Sequence, residues 1–202
     1  MSQNRLKIGL TGGIGSGKSY VAALLEQWGA SIVDTDVIAH QLTAPQGAAI
    51  ASIRQQFGDS FITAAGAMCR DQMRELVFND PSQRQILQGI LHPLIRDFTF
   101  RQVEQAQGCY VVVVVPLLVE SGRWIDQVDR VCVVDCEEAT QIARVQQRSG
   151  LTLDQIKRIM DAQATRAQRL AVADDIILND AQTTLAQLTQ CTQEKHQQWL
   201  GL

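Results

Sequence analysis

The residues with the clearest chemical potential lie near the start of the chain. Gly12–Ser19 reads GGIGSGKS and fits GxxxxGK[ST] at every specified position, after an apolar strand-like segment and before a helical one. Glycines let the backbone curl so that successive N–H groups face phosphate oxygens. In such a loop Lys18 reaches the β- and γ-phosphates, and the Ser19 hydroxyl ligates Mg²⁺. The pattern predicts a site for a nucleoside triphosphate and Mg²⁺, and the complete motif disfavours an ordinary glycine-rich turn.

Two carboxylates follow the next apolar segment. In IVDTD, Asp34 ends a predicted strand and Asp36 lies two residues further on. Asp34 has three open roles: a structural cap, a ligand or second-layer partner of Mg²⁺, or a helper in the site. A carboxylate placed like Asp36 can orient a hydroxyl and accept its proton.

A third group is basic. Between Arg144 and Arg169 the chain carries six basic residues and two acidic ones, although its net charge is −3. Arg144 and Arg148 are spaced i, i+4 and share one helix face. Small P-loop kinases close an arginine-bearing lid over the transferring phosphoryl group. A solvated basic face is the alternative, and the phosphate loop in the same chain favours the lid.

Missing motifs narrow the class of nucleotide-binding protein. A GTPase switch should carry DxxG and NKxD, and a transporter ATPase LSGGQ; none of these occurs. A motor-type ATPase places an Asp at the end of the strand beside the phosphate loop, whereas the most strand-like segment here ends in Pro116. These absences favour a small-molecule kinase.

Alternating strands and helices position these groups. The patterns predict a parallel sheet with helices on both faces, an α/β fold. The residues between 38 and 107 differ, being mostly helical with turns between. The predicted strands are Leu6–Leu10, Ala30–Asp34, Cys109–Val115, Val128–Asp135 and Asp175–Leu178, and the predicted helices after residue 107 are Glu137–Arg148, Thr152–Ala164 and Ala181–Leu200.

Bulk composition excludes several partners and compartments. The chain has 202 residues, which suits one compact domain with small insertions. A net charge of −3 gives no overall electrostatic attraction to nucleic acid or to an anionic membrane. The longest apolar run, Val111–Val119, is too short to span a bilayer, and the N-terminus lacks a signal-peptide core. With five cysteines and no CxxC pair, we expect reduced thiols and a soluble, cytoplasmic protein.

Taken together, the motifs resemble those of the dephospho-CoA kinase family along nearly the whole chain. Each motif is modest alone, and their order and spacing make the resemblance specific. The markers are LTGGIGSGKS (Leu10–Ser19), VDTDVIAH (Val33–His40), LHPLIR (Leu91–Arg96), VPLLVESG (Val115–Gly122), QIARVQQR (Gln141–Arg148) and DAQATRAQRLAVADDIILND (Asp161–Asp180).

The resemblance implies a reaction and an architecture. The reaction is ATP-dependent phosphorylation of the ribose 3′-hydroxyl of dephospho-CoA, the last step of coenzyme A synthesis. The architecture is a P-loop NTPase core like that of nucleoside-monophosphate kinases, with a parallel five-stranded sheet in the order 2-3-1-4-5. Residues 1–37, 108–143 and 172–202 would form this core, residues 38–107 a helical dephospho-CoA-binding insertion, and residues 144–171 a helical lid.

It also implies roles for individual residues. Asp36 would be the catalytic aspartate, assisted by Lys18, Arg144 and Arg148. The ATP contacts would be Gly12, Gly13, Gly15, Ser16, Gly17, Lys18, Ser19, Tyr20 and Asn179, the last of these facing adenine. The contacts to dephospho-CoA would be Asp36, His92, Pro93 and Arg96, and the Mg²⁺ ligands Ser19 and, as an open option, Asp34.

Some alternatives stay open at this stage. The family often has glycine shortly after the asparagine, where this chain has Asp180-Ala181. His92 could instead be a buried histidine at a helix junction. A shikimate kinase also places DxD after its second strand, but the glycine triplet of that family is absent here. A non-catalytic, nucleotide-dependent regulator is the rival from another class. The oligomeric state does not follow from the sequence.

Overall fold

Within residues 5–202, the sheet has five strands in the order β2-β3-β1-β4-β5. A computed structural model describes residues 5–202. In it β1 pairs in parallel with β3 and with β4, so that Gly9 lies opposite both Val113 and Val131. The order is the one that the family resemblance implied, and that prediction is confirmed. The strands are β1 Lys7–Thr11, β2 Ser31–Asp34, β3 Val111–Val114, β4 Arg130–Asp135 and β5 Asp175–Leu178.

The central strands are apolar because both of their faces are covered. All four residues of β3 are buried valines, as expected of a parallel strand between two layers of helices. One layer packs side chains of β1 and β3 against Leu25 and Trp199, which belong to the helices that follow β1 and end the chain. The valine-rich run thus predicted a central strand correctly.

Helices occupy most of the remaining chain. Their bounds are α1 Lys18–Gln27, α2 Thr35–Leu42, α3 Ile50–Phe57, α4 Arg70–Asn79, α5 Pro81–Gln105, α6 Leu118–Ser121, α7 Glu138–Ser149, α8 Leu153–Asp161, α9 Arg166–Ala171 and α10 Leu185–Leu200. Gly29 follows α1 with φ 95°, so it ends that helix in the left-handed conformation expected of glycine. The last helix begins at Leu185 rather than at Ala181, because Thr184 caps it in a capping box with Gln187.

The described chain forms two compact units. One unit runs to Val33 and resumes from Ala106 to Leu202; it contains most of the sheet, α1 and α6 to α10. The other is Asp34–Gln105, in which α5 packs against α2, α3 and α4. The sequence between the second and third strands is therefore a helical insertion, as predicted. In neither unit, over residues 5–202, is a helix long and apolar enough to cross a membrane.

A buried carboxylate ties β5 to its neighbours in the first unit. The side chain of Asp175 is 1% exposed and accepts hydrogen bonds from Arg130 Nε at 2.8 Å, Lys195 Nζ at 2.8 Å and Trp199 Nε1 at 2.9 Å. Burial alone would raise the pKa of Asp175, but these three donors outweigh it and lower the pKa to about 2. One ionised side chain thus joins β4, β5 and α10.

Candidate active site

The phosphate loop connects β1 to α1 and has the backbone that its glycines permit. Gly15 and Gly17 have φ of 74° and 93°, values that side-chain-bearing residues rarely adopt. A Cβ atom on Gly15 would lie 2.9 Å from the carbonyl oxygen of Gln141, and one on Gly17 would collide with the side-chain amide of Asn179. Both glycines are therefore required by conformation and by space.

The residues that open α1 differ in exposure. Lys18 is half-buried, while Ser19 and Tyr20 are exposed. The Tyr20 hydroxyl lies 3.4 Å from Thr189 Oγ1. The backbone N–H of Tyr20 donates to the carbonyl of Gly17. The tyrosine side chain thus lies against α10. Of the two serine hydroxyls in the loop, that of Ser16 is buried and that of Ser19 is open to solvent.

Asn179 lies directly after β5 and bonds to the phosphate loop. It is 6% exposed, and its Nδ2 donates to the carbonyl of Ser16 at 2.7 Å. Arg144, from α7, donates to the Asn179 carbonyl at 2.8 Å, to its side-chain oxygen at 3.2 Å and to the Asp180 carbonyl at 3.0 Å. Arg144 therefore fixes the loop after β5, a placement that its spacing from Arg148 did not reveal.

Arg148 and Arg166 occupy different environments. Arg148, in the last turn of α7, is exposed, and its Nε lies 3.3 Å from Ser149 Oγ. Arg166 opens α9 and forms a bidentate pair with Asp135 at 2.8 and 2.6 Å. The hydrogen bond to Asp135 raises the pKa of Arg166. Asp135 ends β4 beside the phosphate-loop strand, a position that could be recognised only once the strand order was known.

Three polar side chains to which the sequence motifs gave no individual role surround the second and third loop residues. Gln163 Oε1 accepts from the backbone N–H of Ile14 at 3.0 Å. A Cβ on Gly13 would lie 2.7 Å from Gln141 Oε1 and 2.9 Å from Arg169 Nη2. Arg169 is 8% exposed, and burial lowers its pKa. Polar residues from α7, α9 and the α8–α9 connection therefore enclose this side of the phosphate loop.

The two aspartates of IVDTD have distinct positions in the second unit. Asp34 Oδ1 accepts from the backbone N–H of Asp36 at 2.8 Å and of Val37 at 3.3 Å. Of the three roles open to Asp34, the structure shows the structural one, the N-cap of α2. Asp36 is exposed in the first turn of that helix.

His92, Pro93 and Arg96 all lie on α5. His92 is half-buried, and Pro93 and Arg96 are exposed. The Arg96 Nε lies 3.5 Å from a carboxylate oxygen of its neighbour Asp97. The helix continues through Pro93 from Pro81 to Gln105, so Pro93 is not a junction between two helices. The i, i+4 spacing puts His92 and Arg96 on one face.

The fold and the loop define the class of protein. A parallel sheet in this order, with the phosphate loop after its first strand and a helical insertion after its second, is that of a P-loop small-molecule kinase. In residues 5–202 no group of three or more His, Cys, Asp or Glu side chains could hold a metal ion.

Comparison with known proteins narrows the class to a family. The family model for dephospho-CoA kinase (CoaE) matches residues 6–184. The dephospho-CoA kinase of Bordetella pertussis is 57% identical over 196 residues, which cover 97% of this chain and 92% of that protein. A crystal structure of TT1252 from Thermus thermophilus matches with a TM-score of 0.77 at 26% identity over 96% of each chain. The chain belongs to the dephospho-CoA kinase family.

The rival kinase is similar in fold alone. A shikimate kinase from Bacteroides thetaiotaomicron matches with a TM-score of 0.53 at 17% identity, covering 98% of this chain and 99% of that one. At this identity the likeness shows a common fold only. The family resemblance drawn from the motifs is confirmed.

Proposed function

We propose that this protein transfers the γ-phosphoryl group of ATP to the ribose 3′-hydroxyl of dephospho-CoA, giving CoA and ADP. The observation that carries the proposal is the family match over residues 6–184, which includes the complete phosphate loop. In the reaction the 3′-oxygen attacks the γ-phosphorus, the bond to the β–γ bridging oxygen breaks, and the hydroxyl proton passes to a base.

The phosphate loop binds the triphosphate of ATP. Its two left-handed glycines permit the turn at which α1 begins, and the free N–H groups at a helix N-terminus favour a bound phosphate. The Ser16 hydroxyl is buried and makes no hydrogen bond to the part of the chain that the structure describes, as suits a polar site that is completed by ligand or water. Lys18, the first residue of α1, binds the β- and γ-phosphates and offsets their charge.

Mg²⁺ would be held mainly by ATP itself. Such ions keep several waters and take few protein ligands besides phosphate oxygens. The exposed hydroxyl of Ser19 supplies one ligand. When bound, the ion neutralises charge on the β- and γ-phosphates. Because Asp34 Oδ1 already caps α2, we assign Asp34 to positioning Asp36 rather than to the metal.

Asp36 is the proposed base. Its backbone N–H is fixed by Asp34 at 2.8 Å, and α2 starts at the preceding residue. A carboxylate held in this way orients the ribose hydroxyl and accepts its proton. In a loose phosphoryl-transfer transition state the oxygen develops little charge, so orientation accounts for much of the effect.

The arginines of the lid side have different proposed tasks. Arg148 is exposed at the end of α7 and is the one that we assign to the transferring phosphoryl group. Arg144 acts on the loop after β5, where Asn179 meets adenine, and is a positioning residue. Residues 144–171 form the lid, and residues 1–37, 108–143 and 172–202 form the nucleotide-binding domain.

Residues 38–107 form the dephospho-CoA-binding domain. Within it, the exposed face of α5 offers Arg96 as a charge for the pyrophosphate of the acceptor, with His92 four residues earlier on the same face. Because Pro93 has no backbone N–H to donate, its proposed contribution is to the shape of the substrate-binding surface.

Two further points concern the surroundings of the enzyme. All five cysteines are free thiols, which favours a reducing compartment, and we place the protein in the cytoplasm. With a net charge of −3, no nucleic-acid or membrane partner is expected.

One coupled assay tests the function. ADP release is measured with ATP and Mg²⁺ alone, with dephospho-CoA, and with shikimate, and the product is identified by mass. We expect release only with dephospho-CoA, together with a gain of one phosphate on that molecule. Release with shikimate would indicate the rival kinase, and ATP binding without transfer to either acceptor would indicate a regulator. Lys18→Ala is the control for a contaminating kinase, because it should abolish release.

A further inference from the structure

The connection between α8 and α9 makes several hydrogen bonds within the first unit. The Ala164 N–H donates to Glu120 Oε1 at 2.6 Å, and its carbonyl accepts from the Arg169 guanidinium. The Gln163 N–H donates to the carbonyl of Met160 at 2.9 Å. The backbone on both sides of the Gln163 side chain is therefore ordered by contacts other than those of that side chain.

From this fixed position Gln163 contacts the phosphate loop. Its Oε1 accepts from the N–H of Ile14 at 3.0 Å across 149 residues of sequence. Ile14 is the third residue of the eight-residue motif. A second loop amide, that of Ser16, donates within the loop to the carbonyl of Gly13 at 3.1 Å. The first half of the loop is thus fixed by protein acceptors.

We propose that Gln163 is a positioning residue for the phosphates of ATP. By holding the Ile14 amide, it fixes the first half of the loop, so that the amides from Gly17 to Ser19 face the phosphates before the nucleotide arrives. Preorganisation of this kind raises affinity because less conformational freedom is lost on binding. The inference deepens the proposed function and rests on it only in taking ATP as the nucleotide.

Two other roles for the same bond make different predictions. If Gln163 competed with a phosphate oxygen for the Ile14 amide, its removal would tighten ATP binding. If it served stability alone, its removal would lower the melting temperature without changing ATP affinity. The positioning role predicts weaker ATP binding with little change in kcat. A less ordered phosphate loop weakens the binding of the ground state and of the transition state equally.

Three variants separate these roles. Gln163→Met keeps the length of the side chain and removes the acceptor; we expect the Kd and KM for ATP to rise about tenfold, the scale of one hydrogen bond, with kcat within about threefold of wild type. Gln163→Glu keeps an acceptor and adds a charge, so its ATP affinity should approach that of wild type in high salt, where repulsion is screened. Gln197→Met, at an exposed position on α10 outside the lid segment, is the matched control.

The Ile14 amide gives a direct readout by ¹⁵N NMR and hydrogen exchange. In Gln163→Met the Ile14 amide resonance should move and its protection from hydrogen exchange should fall. In Gln163→Glu, which keeps an acceptor, the protection should be retained. An unmoved Ile14 amide in Gln163→Met, or ATP binding in that variant as tight as in wild type, would overturn the proposal. If Gln163→Met is unfolded, the ATP affinity of Gln163→Glu at low and high salt tests the proposal instead. An affinity that does not approach that of wild type in high salt would then overturn it. ATP titration needs no acceptor, so a failure to phosphorylate dephospho-CoA would refute the proposed function separately.

Discussion

The buried carboxylate of Asp175 gives a prediction whose size follows from its surroundings. Its pKa is lowered from the ordinary 3.8 to about 2 by donors from Arg130, Lys195 and Trp199, which outweigh the opposing effect of burial. A pKa lowered in the folded state adds stability that is fully present above the unfolded pKa and is lost as pH falls through the folded pKa. At 1.36 kcal/mol per pKa unit, the difference corresponds to about 2.5 kcal/mol, lost between about pH 4 and pH 2.

Asp175→Asn removes this charge and leaves two cations near an amide. Breaking a buried ion pair costs about 3–5 kcal/mol, so we expect a loss of about 3 kcal/mol in the free energy of unfolding at pH 7. Because the variant cannot titrate at this site, the stability gap to wild type should narrow by about 2 kcal/mol between pH 5 and pH 2.

Urea denaturation followed by tryptophan fluorescence, at several pH values from 7 to 2, measures this gap. Asp59→Asn is the control, because Asp59 pairs with Arg54 at 2.9 Å but is 88% exposed, and exposed pairs contribute little. A gap that stays constant from pH 5 to pH 2 would show that the pKa of Asp175 is not depressed, and would refute the reasoning.

Further predictions concern the site. Asp36→Asn should lower turnover about 100-fold or more while ATP affinity is kept; near-normal turnover would remove Asp36 from the chemistry. Arg148→Ala should lower kcat at least about 100-fold, and unaltered kinetics would contradict its assignment to the phosphoryl group. Arg144→Ala should instead raise the KM for ATP about tenfold or more, since it frees the Asn179 loop; a pure loss of kcat would contradict positioning. Gly17→Ala should weaken ATP binding at least about tenfold, because a side chain is strained at this φ and collides with Asn179. Titration with ATP measures the Kd, and an unchanged Kd would contradict this prediction.

Local signals predicted most of the elements of the first unit. The bounds of β5 agree with the predicted Asp175–Leu178, because an apolar run between polar residues is a local property of the sequence. Gly29 likewise follows α1 in the left-handed conformation that glycine favours at a helix end. The start of α10 was placed too early because Asp180 and Thr183 form a turn through their own side chains, which composition alone does not distinguish from a first helical turn.

The site was less predictable because its contacts are distant in sequence. Gln163 and Ile14 are 149 residues apart, and Arg144 and Asn179 are 35 apart. No periodicity encodes such pairs; they follow from the strand order, which came from the family resemblance. The i, i+4 spacing of Arg144 and Arg148 suggested a common task, whereas the structure gives Arg144 carbonyl partners and leaves Arg148 exposed.

The bond from Asn179 to the carbonyl of Ser16 has a consequence for biosynthesis. The motif of the phosphate loop is complete in the nascent chain once Ser19 has been made, but its partner Asn179 emerges from the ribosome 163 residues after Ser16. Nucleotide affinity should therefore develop only when β5 joins the sheet, long after the motif itself has been made. Products truncated before β5 would carry the whole motif and would not retain the nucleotide.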